Sequence, residues 1–458
     1  MGSAPAETAT LRAGVVERAG AAGLRLVRFL YCDHDGIIRG KASGASGLAE
    51  RLESGIGLTV AMQAFSLLDQ LAAVEGMGPV GEIRLVPDPE TFVVAPYAPR
   101  TGVVLVDMLT GDRRPYEADG RRFLRRMIER AAGHGLELSA AFEPEWTLLA
   151  PGDDGELVPF DRSLCFSSQG MAAAAEVIDE IVAALEAQGL QVEQYYPELG
   201  WGQHELSIRH APALSAADRH LHYRETVRGV AQRRGLAVSF APKPWPDQPG
   251  NGCHLHFSAW DGAGANRFAD PEAAFGLSAL GRRFLAGVLD HLPAVLALTC
   301  ASVNSYRRLQ PQTWASAYRA WGPDNREAAL RVASPFWGHE AESTNVELKA
   351  CDSSANPYLA LGAVIAAGLD GVERELEPPA PVLVDPHTLD DAGRAAVGAT
   401  RHPATLGEAL ACLREDRVLM EAMGDRLSAS YVAVKESDIR GFDAEDESFE
   451  YASHRFKF

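Results

Sequence analysis

The run 136–149 constrains this chain more than any other stretch. It reads as one apolar β-strand, yet it carries two carboxylates within Phe142-Glu143-Pro144-Glu145-Trp146. Side chains alternate across a strand, so Glu143 and Glu145 share a face, about 6–7 Å apart along the backbone. Carboxylates on the face of a buried strand need neutralising. The fold must bring cations to that face or leave it in water, and the pair taken alone suits either.

The rest of the chain has an α+β pattern. Strand-like runs lie at 24–31, 82–86, 92–95 and 102–108, and helical periodicity is sparse before residue 115. Residues 1–20 read as frayed or as a short helix. A small β-rich domain is therefore expected over 1–112 and a larger domain over 113–458. In the larger part, Pro115 is expected to open a basic amphipathic helix through Arg130, stopped by Gly133 and Gly135. Helices are expected at 172–185, 216–233 and 284–298, with strands at 203–208, 236–241 and 255–259. The last third reads as mostly helical, with a proline-rich surface loop over 377–386.

Four further clusters carry chemistry. Glu198 and Glu205 bracket Gly200 and Gly202, which would let the backbone fold back so that the two carboxylates converge. Pro249-Gly250-Asn251-Gly252-Cys253-His254-Leu255-His256 sets two histidines on one strand face after a glycine turn. Asn304-Ser305-Tyr306-Arg307-Arg308-Leu309 is followed by Asn325-Arg326 and Arg331. A guanidinium fork matches phosphate and carboxylate, although Arg307 reads as a structural ion pair. Asn345-Val346-Glu347-Leu348-Lys349 again puts two charges on one face, and Asn356-Pro357 reads as a helix start. Oxygen-rich ligands favour Mg²⁺ or Mn²⁺ over zinc. Hard cations with arginines are what phosphoryl transfer from ATP requires, and no P-loop or kinase glycine loop is present.

Composition narrows the partners. The 458 residues carry a formal charge of −19, which argues against nucleic acid or an anionic membrane. The cysteines at 32, 165, 253, 300, 351 and 412 show no zinc-type or disulfide spacing, so a reduced, cytoplasmic setting is expected. The N-terminus lacks a long apolar stretch, and no secretory signal is expected. The longest apolar helical run, 359–369, is too short to span a bilayer.

The order Glu-Pro-Glu, Gly-Gln-His-Glu, Gly-Asn-Gly-Cys-His-Leu-His, Asn-Ser-Tyr-Arg-Arg-Leu, Asn-Arg, and Glu-Leu-Lys before Ala-Asn-Pro-Tyr resembles glutamine synthetase of the type I branch, from about Leu24 onward. The resemblance implies a small β-grasp-like N-terminal domain and a large catalytic domain with an antiparallel sheet and helices. It also implies a homo-oligomer of stacked rings, hexamer or dodecamer. One metal site would be Glu145, Glu198 and Glu205, the other Glu143, His254 and Glu347. His256, Arg326 and Arg331 would meet ATP, with Arg326 also catalytic. Glu145, Gly250, Arg308 and Lys349 would hold the substrate acid. The implied reaction is ATP-dependent joining of a carboxylate to an amine through an acyl phosphate.

The chain departs from the family at the amine end. Trp314 stands where the family has its flap glutamate, Phe166 where it has a tyrosine, and 59–63 where it has an Asp-Gly-Ser-Ser loop. Pro249 and Lys349 replace an asparagine and an arginine on the acid side, and 382–386 lacks the tyrosine that some relatives adenylylate. A site stripped of acid groups holds ammonium poorly, while indole and phenyl rings favour an apolar group. The expected substrates are therefore glutamate and a primary amine other than ammonia, as in gamma-glutamyl-amine ligases, with a monoamine preferred to a polyamine. Other readings are a divergent glutamine synthetase, a two-metal hydrolase, and a non-catalytic structural or regulatory relative.

Overall fold

The computed structural model describes residues 5–153 and 155–458. Its first sheet comprises β1 (Leu26–Cys32), β2 (Ile38–Gly44), β3 (Ile56–Thr59), β4 (Glu82–Pro87), β5 (Val93–Val94) and β6 (Thr101–Thr110), in the order β2-β1-β6-β4-β3 with β5 on β6. The β1–β6 pair is parallel. The apolar run of β6 reflects burial on both faces. Val104, Val106 and Met108 join Val27, Phe29 and Leu85 in a local core under the helices Pro5–Ala21 and Leu48–Ser54. Val103 and Leu105 point the other way, into the main core.

The second sheet comprises β7 (Glu137–Pro151), β8 (Leu157–Pro159), β9 (Val192–Pro197), β10 (Gln203–Ile208), β11 (Ala211–Pro212), β12 (Ala237–Ser239), β13 (Cys253–Trp260), β14 (Tyr318–Pro323), β15 (Ala328–Val332), β16 (Val346–Leu348) and β17 (Thr400–Arg401). Its order is β17-β14-β15-β16-β13-β7-β10-β9, with β8, β11 and β12 also pairing β7. Among the described residues it is antiparallel except for β14 with β15. One face of β7 packs on the helix Ala213–Arg233: Phe142 stacks on His220 at 4.9 Å, and Trp146 Nε1 donates to the Tyr223 hydroxyl at 3.0 Å. The opposite face carries Glu143 and Glu145.

The helix Pro357–Glu373 is buried along most of its length against the helices Ala279–Thr299 and Gly120–Gly133. As read from the sequence, Asn356 caps it, accepting from the Tyr358 and Leu359 amides at 2.9 and 3.2 Å. The same side chain donates to the Cys32 and Asp33 carbonyls at 3.1 and 2.9 Å, joining the first sheet to the larger domain's core. A second tie is the buried ion pair of Lys435 with Asp35.

Several expectations need correcting. The basic helix begins at Gly120 under an Asp119 cap, while Pro115 stays in a turn bridged to Leu109. Two strands within the last third, β14 and β15, were not expected from the sequence. The segment 59–63 is a short 3₁₀ turn packed on the C-terminal helix Asp425–Asp443, where the Ser430 hydroxyl donates to the Gln63 carbonyl. Within one chain it does not line the cleft described below.

His291 ties three helices. Its Nδ1 lies 2.6 Å from Asp416, which caps Arg417–Met423, and its Nε2 lies 2.9 Å from Asp370. Burial pushes the imidazole down, but bonds to Asp416 and Asp370 outweigh it and raise it above its ordinary 6.5. A histidine raised on folding stabilises fully below its ordinary value and loses that contribution as pH rises through the raised one. His291→Gln should therefore lower the urea midpoint most at mildly acidic pH, and the gap to wild type should narrow in alkali. A gap independent of pH would show that the imidazolium charge is not what stabilises.

Candidate functional site

Strand register builds the site. Glu145 stands opposite Glu205 across β7 and β10, and Glu143 opposite His254 across β7 and β13. Glu347 on β16 stands opposite His256 on β13 and Arg331 on β15. Directly opposed residues have Cβ atoms about 4.5–5.5 Å apart, so five strands bring these charges to one sheet face. They line a cleft of about 1260 Å³, together with Glu198, Gly250, Arg308, Lys349, Arg326, Phe166 and Trp314. Every residue singled out from the sequence as a candidate ligand or substrate contact therefore lines one cavity.

The first trio is compact. Ligand atoms of Glu143, His254 and Glu347 all lie within 4.8 Å of one another. His254 Nδ1 is 3.2 Å from Glu347 and 3.7 Å from Glu143. Burial and the neighbouring Lys349 ammonium hold its imidazole down at about 4, leaving one ring nitrogen with a lone pair free to bind. Burial works to raise Glu347, but Lys349, His254, His256 and Arg331 outweigh it and hold the carboxyl at about 2. Arg331 Nε sits 2.7 Å from it. His256 is 3.2 Å from Glu143 through Nε2 and 2.9 Å from Asn345 through Nδ1. Burial lowers it, and the Glu143 carboxylate raises it further, to about 9.

The second trio is looser, and its oxygens are held by protein donors. Glu145 accepts from Gln203 Nε2 at 2.8 Å and from the Gly252 amide at 3.1 Å. Glu205 accepts from the Tyr196 hydroxyl, and Glu198 from the Leu199 amide at 3.0 Å. Burial and the nearby carboxylates push Glu205 well up, and burial with Glu145 brings Glu198 to about 7. These are the signs of anionic groups crowded without enough positive charge. Glutamate oxygens with one imidazole fit a hard divalent cation such as Mg²⁺ or Mn²⁺.

Beside the carboxylates lies a pocket suited to an anion. Arg308 is buried, and its Nη2 donates to the Cys351 carbonyl at 2.9 Å. Gly250 lies against it so closely that a Cβ would meet the Pro242 carbonyl at 2.4 Å and Arg308 Cγ at 2.6 Å. Lys349 is buried with its ammonium 3.5 Å from Glu347 and 3.3 Å from His254. At the mouth, Phe166 is 58% exposed and meets Tyr196 edge-on at 4.7 Å, and Trp314 is 53% exposed. Arg326 projects into the cleft from the turn between β14 and β15. Arg307 also borders the cleft, but its guanidinium is paired with Glu447 and Glu450 at 2.6 and 3.1 Å, as its structural reading required.

Sequence reasoning passed over Tyr196 and Glu327, and quoted Asn345 and Gln203 without giving them a task. Tyr196 and Gln203 sit two residues from Glu198 and Glu205, and that spacing within strands was the available signal. Glu327, which accepts the Trp314 amide at 2.8 Å, had no such signal.

Comparison with known proteins agrees with this geometry. A model described as "Glutamine synthetase, catalytic domain" matches residues 117–454, and "Glutamine synthetase N-terminal domain" matches 9–122. The chain is 38% identical over 458 residues to the gamma-glutamylpolyamine synthetase GlnA3 of Streptomyces coelicolor, covering 98% of each protein. It is 35% identical to the glutamine synthetase of Pyrococcus abyssi, covering 88% of this chain and 87% of that one. Among solved structures, a "novel glutamine synthase homolog" superposes with a TM-score of 0.85 at 34% identity, covering 95% and 99% of the two chains. GmaS in complex with ADP superposes at 0.83 and 29% identity, covering 96% and 98%.

The compact trio of Glu143, His254 and Glu347 generates a prediction. Mg²⁺ or Mn²⁺ at about 100 times its Kd should stabilise the folded protein by about 2.7 kcal/mol, read as a rise in Tm. Glu143→Gln with Glu347→Gln should remove most of that rise. A shift retained in the double variant would place the ion elsewhere.

Proposed function

The chain belongs to the glutamine synthetase family, and from that premise we propose that it joins glutamate to a primary amine other than ammonia, consuming ATP. One observation carries this reading: the mouth of a cleft otherwise equipped for acid and phosphate chemistry is walled by the half-exposed rings of Trp314 and Phe166. Arg308, the Gly250 backbone, Lys349 and Glu145 would hold the amino acid. Its side-chain carboxylate attacks the γ-phosphorus of ATP. The bond to the β-phosphate oxygen breaks, and ADP leaves. Arg326 and Arg331 would balance the charge that gathers on the transferring group, and His256 would meet it from the β13 side. The amine nitrogen then attacks the acyl carbon, and phosphate departs with the electrons of the broken C–O bond and takes up the proton that the nitrogen sheds.

Glu143, His254 and Glu347 would hold one divalent ion and Glu145, Glu198 and Glu205 a second. Such ions supply charge neutralisation for the triphosphate. The two domains are read as 1–112 and 113–458, and the assembly as a homo-oligomeric ring, hexamer or dodecamer. Among the described residues no helix is long and apolar enough to cross a membrane, and a cytoplasmic site of action suits six cysteines without disulfides.

A second reading is a polyamine as the amine. It is favoured by the name of the Streptomyces relative and by Asp247, an acid that lines the same cleft. The absent flap glutamate favours a weakly basic monoamine instead. An indole neither attracts an ammonium nor takes its proton, and an amine already neutral needs less of either.

Two experiments test these roles. Arg326→Ala should lower kcat by about 10³-fold, the scale for one lost transition-state donor. A change confined to KM would move Arg326 to ground-state binding. Phosphate release at fixed glutamate and ATP should be slow with ammonium and faster with a weakly basic or apolar monoamine, with diamines in the same panel to test the polyamine reading. Trp314→Glu should shift preference toward ammonium. Ammonium emerging as the best substrate of the wild-type panel would make this an ordinary, if divergent, glutamine synthetase, and dependence on water in place of ATP would make it a hydrolase.

A further inference from the structure

The segment 310–316 carries Trp314 to the mouth of the cleft, and its backbone is strained. Gln312, Trp314 and Ser316 all lie in the left-handed region, at φ 59°, 56° and 64°. Side chains with a Cβ avoid that region, and it persists only where surrounding contacts impose it. Within the segment, the Thr313 hydroxyl donates to the Gln310 carbonyl at 2.7 Å. From outside, Glu327 Oε1 accepts the Trp314 amide at 2.8 Å.

Glu327 is only 6% exposed, in contrast to the indole it holds by the backbone. It is not among the described residues lining the cleft, although its neighbour Arg326 is. Its Oε2 is buried, and burial pushes the carboxyl up against the opposing pull of the Trp314 and Gln312 amides. The preceding residues complete the arrangement. Asn325 Nδ2 donates to the Val382 and Val384 carbonyls at 2.8 and 3.0 Å, and Asn325 Oδ1 accepts the Glu327 amide at 3.0 Å. Three consecutive residues thus anchor the 382–384 loop, enter the cleft, and anchor the Trp314 segment.

We propose that Glu327 is a positioning residue for the amine end: by accepting the Trp314 amide it fixes the left-handed 310–316 segment, and so sets the indole relative to Arg326. The proposal rests on Trp314 as a wall of the amine site. What it requires is an acceptor oxygen and not a charge. Glutamine can therefore replace Glu327, and leucine cannot.

The test uses full-length E327Q and E327L, with E327A in place of E327L if the latter does not fold. Hydrogen exchange of the 310–316 amides is followed together with steady-state kinetics on the amine, ammonium included, that wild type uses best. Losing a buried acceptor should speed exchange at Trp314 about tenfold and raise KM for the amine about tenfold, with KM for ATP unchanged. E327Q should restore both. E327Q behaving like E327L would overturn the proposal in favour of a role for the charge, and unchanged exchange in E327L would overturn it outright. A wild type that prefers ammonium sinks the substrate reading alone, because the exchange data and the KM split are then read on ammonium.

Discussion

Repulsion between glutamates held on neighbouring strands is the constraint from which the rest of the structure follows. Glu143, Glu145, Glu205 and Glu347 are placed by register on one sheet face, and none can turn away without leaving its strand. Only enclosed positive charge makes that tolerable. Arg331 and Lys349 meet Glu347 from the protein itself, and the two histidines meet Glu143. The remaining surplus sits at Glu145, Glu198 and Glu205, where the carboxyls are raised. The apolar side of the same sheet can then be ordinary: Phe142 and Trp146 pack on a helix as in any two-layer protein.

Much of this was legible because strand periodicity is rigid. Once 136–149 is a strand, Glu143 and Glu145 must share a face, and the same holds for His254 with His256 and Glu347 with Lys349. Periodicity does not say which strand lies beside which. The pairing of β16 between β13 and β15 is what makes Glu347 the meeting point of His256 and Arg331. The strands β14 and β15 were themselves hidden, because Tyr318–Pro323 and Ala328–Val332 carry arginine, alanine and proline in place of a clean apolar alternation. The helix start was misread for a local reason: Pro115 suits a first helical turn, but the Asp119 side chain satisfies the Arg121 amide, and the cap prevails.

The features that distinguish this chain from its relatives depend on contacts remote in sequence. Trp314 was recognisable as a replacement, whereas the residue that holds its backbone lies 13 positions further on, after a strand. The segment 59–63 was compared with a family loop at the amine site, yet within one chain it is held by Ser430, 367 residues away. Motif spacing identifies which residues meet the substrates. It carries little about what orients them, because an orienting group needs only reach and one hydrogen-bonding atom.

The Asn356 clamp has a consequence for biosynthesis. The carbonyls of Cys32 and Asp33 find their donor 324 and 323 residues downstream, and Asp35 finds Lys435 after 400. Val103 and Leu105 likewise turn a face of β6 toward a core that later sequence must supply. The first sheet thus leaves the ribosome with one apolar side and a buried acidic loop uncovered, for as long as most of the chain takes to be translated. Contacts of such sequence separation form slowly, and an exposed strand surface invites association with other chains in the interval. Shielding of the nascent N-terminal part until the last helices arrive would remove that exposure.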